Sequence, residues 1–250
     1  MSMQSPIEQF EVHGSATPLF DIGGHAIHYS NFAMAALTVF VLALLFILLP
    51  MRRRSVIPGR WQVFVEVIYK ALDDLLSQAA GPKAKPFFPF IFSIFLFIVL
   101  SNILGLVPGF YTVTAQFITN FALAMSVILV VLGAGFYYHG AHFLKIFVPS
   151  GVPAILLPII TAIEVVSFFV RPFSLSLRLF ANMLAGHILL KVFAGMTAAI
   201  ATSGWVASVG VLPLIMNVCI VCFEVFVALL QAYIFTILSS VYLRDALEMH

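Results

Sequence analysis

The stretch from Asn31 to Pro50, NFAMAALTVFVLALLFILLP, carries no charged residue. At 1.5 Å rise per residue a helix of this length covers about 30 Å, the thickness of a bilayer's hydrocarbon core. Nothing else in the chain restricts the fold as much. In lipid every backbone N–H and C=O must be satisfied by the protein, which only helices and closed barrels achieve. Composition extends the argument to the whole chain. Of 250 residues, 62% are hydrophobic and 9% charged, and the mean hydropathy is +1.13, leaving too little polar surface to coat a soluble globule. A net charge of +2 gives no reason to expect a nucleic-acid partner.

The positions of the charges orient the chain. Residues 1–30 contain no Lys or Arg, so they lack the basic region of a secretory signal and read as a retained external tail. The run MRRRS follows the first span, 31–50, and Arg60, Lys83 and Lys85 come soon after. By the positive-inside rule this side faces the cytoplasm. Residues 61–79 mix apolar positions at helical spacing with Glu66, Lys70, Asp73 and Asp74, the pattern of an amphipathic helix lying on the inner surface. A second span, 87–108, runs outward and a third, 117–138, returns. The loop between them has no Lys or Arg, whereas Lys145 falls inside again.

Two apolar segments remain, 155–193 and 206–243. As helices they would be roughly 60 Å long, about twice the core thickness, so they tilt, break or both, and Pro172 predicts a kink. The expected class is an all-α polytopic membrane protein forming a single membrane domain. It has five embedded helices, one surface helix, and a C-terminus on the inner side.

The last two segments hold polar residues at regular intervals. Glu164, Arg171 and Arg178 are spaced by seven, as are Asn217, Glu224 and Gln231, with Tyr242 eleven further on. Seven residues return a helix to within about 20° of the same direction, so each set forms a stripe. Ser174, Arg178, Asn182 and Gly186 form a neighbouring row at intervals of four, and His187 points to the opposite side from Arg178. One reading makes these internal hydrogen bonds between helices, the expectation for Ser167, Ser174, Ser176 and Asn217. Arg171 then pairs with Glu164. For Arg178 and Glu224 that reading is weaker, because a charged group at mid-membrane costs about 2.5–3.5 kcal/mol and needs a function or a partner to offset it. Cys219 and Cys222 form a Cys-x-x-Cys in an apolar helix with no second pair, and read as small buried hydrophobes rather than a metal site. His25 and His28, and His139 and His142, read as surface histidines near membrane ends. No phosphate-binding Gly-x-x-x-x-Gly-Lys-Ser/Thr loop occurs, so nucleotide chemistry, if any, belongs to other chains.

The runs SLSLRLFANMLAGH and EVFVALLQAYIFTILSSVYL resemble the a subunit of F-type ATP synthases, and the order of spans extends the likeness over essentially the whole chain. The resemblance implies a static proton-channel subunit, non-catalytic itself and without a cofactor or metal. Its partners are protons, lipid, a rotating ring of c subunits, b-type peripheral-stalk subunits and, through the complex, the soluble ATPase head. Arg178 falls on the family's essential arginine, and Asn182 and Gln231 fall on positions lining the proton path. Some bacterial members carry Glu at the position of His187 and His at that of Glu224. The arrangement here is similar to the alphaproteobacterial and mitochondrial version. The implied mechanism admits a proton from outside through His187 and Glu224, and releases it through an inner half channel bordered by Glu164 and Tyr242. Arg178 separates the two. The implied location is a bacterial inner membrane with the N-terminus periplasmic, the alternative being the mitochondrial inner membrane. A competing class is a secondary transporter or free-standing channel with an intramembrane arginine anchoring a substrate carboxylate, although no inverted repeat is visible.

Overall fold

A computed structural model describes residues 14–22, 25–51, 59–107, 109–140, 142–143, 156–202 and 207–248. Over these residues a β-hairpin precedes six α-helices: α1 (Asn31–Met51), α2 (Arg60–Ala80), α3 (Phe88–Gly105), α4 (Phe117–His139), α5 (Leu157–Thr202) and α6 (Ala207–Leu247). Short 3-10 turns at Pro82–Phe87 and Val113–Ala115 lead into α3 and α4. Five segments are long and apolar enough to cross a membrane: Asn31–Pro50, Pro82–Gly105, Phe117–His139, Leu157–Ile200 and Pro213–Leu247. The polytopic helical class expected from composition is therefore the one observed. The basic run at Arg52–Arg54, and Lys145, lie outside the described residues.

Several details differ from the sequence reading. The tail contains two antiparallel strands, β1 (Gly14–Ile22) and β2 (His25–Ser30), with Ile22 opposite His25 and Gly14 opposite Ser30. Ser30 then starts α1, its hydroxyl oxygen accepting the Ala33 N–H at 3.1 Å and satisfying one of the free donors of the first turn. Helix α3 closes at Gly105 rather than at 108, and α5 runs on to Thr202 rather than stopping at 193. The added turns of α5, GMTAAIAT, are rich in alanine, the strongest helix former. Pro172 lies inside α5, which is continuous through it.

The chain divides into two compact units. The first comprises Met1–Leu45, Phe97–Gln116 and Leu179–Gln231, and the second Phe46–Leu96, Phe117–Arg178 and Ala232–His250. In the first, Ala35, Val39 and Val113 form a buried core against Phe32, Phe97 and Tyr111. In the second, the first half of α2 is held by aromatic contacts, Phe46 lying 5.9 Å from Trp61 and Tyr69 4.6 Å from Phe88 between ring centres. Leu72, Leu76 and Ala80 are buried along the same helix while Lys70 is exposed, as its amphipathic pattern requires.

The exposed surface of α1 and α5 is apolar: Leu37, Phe40 and Leu48 on the first, Ile159, Ile163 and Phe169 on the second. In water each would forfeit about 1.5–3 kcal/mol of burial energy. Against lipid tails it forfeits almost nothing. The hydroxyls of α6 are satisfied within the helix, Thr236, Ser239 and Ser240 donating to the carbonyls of Ala232, Phe235 and Thr236 at 2.9, 2.7 and 2.8 Å. Such bonds let a polar side chain sit in a membrane helix without an outside partner.

Candidate functional site

In the first unit, α5 and α6 bring titratable side chains inward. His187 is 9% exposed, and Glu224 and Gln231 are each 6% exposed. The spacing of seven on α6 has therefore put Glu224 and Gln231 on its covered face, with Asn217 half-buried. Glu224 lies directly over Gly186, the residue before His187, so closely that a Cβ at 186 would collide with its carboxylate. Asn182, one turn earlier on α5, is half-buried.

The connection between α3 and α4 supplies the rest. The Thr112 side-chain oxygen is 3.0 Å from His187 Nε2, and the same hydroxyl reaches the Gly105 carbonyl at 3.4 Å. The Thr114 hydroxyl donates to Asn102 Oδ1 at 2.7 Å, and the Asn102 amide donates to the Ala228 carbonyl at 3.5 Å. Thr112, Thr114 and Asn102 are all buried. Among the described residues, Glu224 Oε2 and Asn217 Oδ1 are buried acceptors with no hydrogen-bond partner. Gly105, Thr112, His187, Lys191, Asn217 and Val221 line a cavity of about 320 Å³, room for roughly ten waters at about 30 Å³ each. An imidazole and a carboxyl group can each take and give a proton; His187 lines the cavity, and Glu224 packs over the adjoining Gly186.

The second unit holds the other residues singled out in the sequence. Arg171 pairs with Asp245 at 3.5 Å, not with Glu164, and its guanidinium lies 5.1 Å from the centre of the Tyr242 ring. Glu164 is seven residues away on the same helix, two turns or about 10 Å along the axis, whereas Asp245 is brought alongside by α6. Tyr242 thus serves as the aromatic floor for Arg171. Among the described residues two ion pairs form, Arg171–Asp245 and Arg244–Glu248, and Arg178 is in neither. Its side chain is exposed, and the nearby apolar side chains Phe173 and Leu177 are exposed too, at 49% and 43%.

Other expectations change. Ser167 and Ser174 are exposed rather than bonded between helices, while Ser176 is buried and donates to the Phe173 carbonyl of its own helix at 2.9 Å. Cys219 and Cys222 are free and exposed, not buried, because positions 219 and 222 fall on the face of α6 turned away from Glu224. His139 is half-buried, its Nε2 3.3 Å from the Leu247 carbonyl, and His142 is exposed. The side chains of His25 and His28 lie outside the described residues. Among the described residues no three His, Cys, Asp or Glu gather into a metal site.

Asn102, Thr112 and Thr114 lie outside the polar stripes that helical spacing marks. Asn102 was legible as a lone amide in the apolar run FIVLSNILG. The two threonines sit in a short loop with no period to betray a direction.

These features define a polytopic helical membrane protein in which a cluster of buried titratable and polar side chains borders a cavity. Comparison with known proteins is more specific. The family described as ATP synthase A chain matches residues 32–244. ATP synthase subunit a of Bartonella bacilliformis is 48% identical over 244 residues, 97% of this chain and 96% of that protein. The corresponding protein of Rhizobium rhizogenes is 50% identical over 229 residues, 91% and 92% of the two chains. ATP synthase subunit a 1 of Brucella anthropi is 49% identical over 244 residues, 97% of each. The chain belongs to the ATP synthase A chain family.

Proposed function

We propose that this chain is the static proton-conducting subunit of an F-type ATP synthase, serving ATP synthesis through proton transport and leaving nucleotide chemistry to other subunits. A proton enters from the periplasmic side through the cavity beside His187, passes His187 and Glu224 with Asn182 and Gln231 along the route, and protonates a carboxylate on a c subunit. Once neutral, that carboxyl group can face lipid at little cost. The ring turns, and the proton leaves toward the cytoplasm by a second path bordered by Glu164 and Tyr242. Arg178 holds the ionised ring carboxylate for a moment and keeps the two paths apart, because a guanidinium keeps its proton and so cannot relay one. The energy available matches the task, since one charge crossing 100 mV carries about 2.3 kcal/mol.

The observation that carries this reading is the exposure of Arg178 on an apolar helix surface. A permanent cation facing lipid is costly. A partner surface with its own negative charge removes that cost, and a c-ring carboxylate is such a partner. Membership of the family, with two relatives from the same bacterial group matching over almost all of their length, supports the c-ring, b-type stalk subunits and ATPase head as its companions. It also supports a bacterial inner membrane as the location.

The deciding experiment is Arg178→Ala in the assembled enzyme, with proton-driven ATP synthesis measured in inverted membrane vesicles. Coupled synthesis is lost while the complex remains in the membrane at normal amount. Synthesis at the unaltered rate overturns the assignment. Copurification separates this reading from a free-standing transporter, because a transporter works alone and this chain travels with a ring of small membrane proteins.

A further inference from the structure

Thr112 touches His187 through a contact that neither the stripes on α5 and α6 nor the proposed path accounts for. The residue is 5% exposed, and its hydroxyl lies between two fixed groups: His187 Nε2 at 3.0 Å and the Gly105 carbonyl at 3.4 Å. Its place is built into the backbone. A Cβ at position 105 would stand 2.6 Å from Thr112 Cγ2 and 2.9 Å from Oγ1, so the last residue of α3 must be glycine for the threonine to lie over it. Gly105, Thr112 and His187 all line the same cavity.

From this geometry we infer that Thr112 is a positioning residue for His187, fixing Nε2 as a held N–H and confining proton exchange to Nδ1. A hydroxyl has one hydrogen to donate. With that hydrogen on the Gly105 carbonyl, the Thr112 oxygen accepts from His187 Nε2–H. The chain Nε2–H to Oγ–H to O=C then ends on a carbonyl, which accepts a hydrogen bond but takes no proton at physiological pH. The ring therefore gains its proton at Nδ1, where an N–H bond forms as an O–H bond of a hydronium ion from the uptake side breaks and leaves neutral water. It loses the proton from the same atom. Thr112 accepts from Nε2 in both charge states, so the imidazole charges and discharges without turning. Among the described residues, Lys191 on α5 lines the cavity with His187 and Glu224 on α6 packs over Gly186, while Thr112 itself carries no charge.

The inference rests on the reading of His187 as the proton-uptake residue, and the test separates the two. In membrane vesicles carrying the complete enzyme, ATP synthesis is measured at fixed membrane potential against proton concentration on the uptake side, normalised to the amount of assembled complex. Thr112→Val removes the acceptor while keeping the shape. A lost hydrogen bond to a charged group corresponds to about tenfold in the proton concentration needed for half-maximal rate, with the maximal rate within about twofold of the unaltered enzyme. Thr112→Ser restores the original dependence. Gly105→Ala, which displaces the hydroxyl without deleting it, reproduces the Thr112→Val effect. If His187→Ala leaves the proton dependence unaltered, the uptake role of His187 fails. If His187→Ala changes it but Thr112→Val does not, only the present inference is overturned. It is overturned equally if Thr112→Val and Thr112→Ser both lower the amount of complex and leave the half-maximal proton concentration unchanged, since that is a packing role.

Discussion

Gly186 and Glu224 are in such close contact that the glutamate carboxylate occupies the space a side chain at 186 would need. A residue on α5 has thereby been kept small so that an acid on α6 can lie beside His187's own turn of helix. Gly186→Ala should displace the carboxylate and, by the usual cost of overpacking, destabilise the site by about 1–3 kcal/mol. Proton-driven ATP synthesis per assembled complex is expected to fall at least several-fold. Synthesis at the unaltered rate would mean that the position of Glu224 is unimportant.

Arg171 is tied to Asp245 at 3.5 Å with both side chains partly exposed, 33% and 44%. Solvent or headgroups screen such a pair, and its coupling energy should be no more than about 1 kcal/mol. Arg171→Ala and Asp245→Asn are each expected to lower the melting temperature of the detergent-solubilised complex slightly, and together by less than the sum. Coupled synthesis persists in all three. Its complete loss in Asp245→Asn would assign this pair a part in proton transfer that the geometry does not give it.

Thr114, Asn102 and the Ala228 carbonyl form a buried relay of hydrogen bonds at 2.7 and 3.5 Å. Removing one member strands another, at about 1–3 kcal/mol for a buried polar group in water-soluble proteins and about 0.6 on average in a membrane. Asn102→Ala should therefore reduce the thermal stability of the complex more than Thr114→Val. The double variant should be no worse than Asn102→Ala alone, and additive losses would show that the two side chains act separately.

Arg178→Lys keeps a positive charge yet should behave like a deletion. A lysine amine sheds its proton readily in a poorly solvated site and offers a point charge in place of a planar fork. Under the proposed mechanism such a group leaks protons between the two paths. The expected measurement is passive proton conductance above that of the unaltered enzyme, together with reduced synthesis. Wild-type coupling in Arg178→Lys would make charge alone sufficient.

Much of this molecule was legible in its sequence. Long apolar runs marked the spans, and spacing by seven brought Glu224 and Gln231 to one covered face of α6, where each is 6% exposed. The Gly23-Gly24 pair in the tail is a hairpin-turn signal in the sequence, and β1 and β2 lie on either side of it. What failed were statements about partners. Arg171 and Glu164 lie on one stripe, which suggests a pair, but α6 supplies Asp245 instead. The apolar helix around Cys219 and Cys222 suggests burial, but in lipid an apolar helix can expose either face, and both are exposed.

Sequence alone determined the existence and order of the helices and which positions share a helical face, because those depend on residues within a few turns of each other and on the lipid that surrounds them. Only the tertiary structure decided which groups meet: Thr112 with His187, across 75 residues, and Asn102 with Ala228, across 126. Helical periodicity fixes a direction around one axis. It says nothing about what a neighbouring helix or loop places there, and in this protein those cross-chain meetings hold the imidazole and frame the cavity beside it.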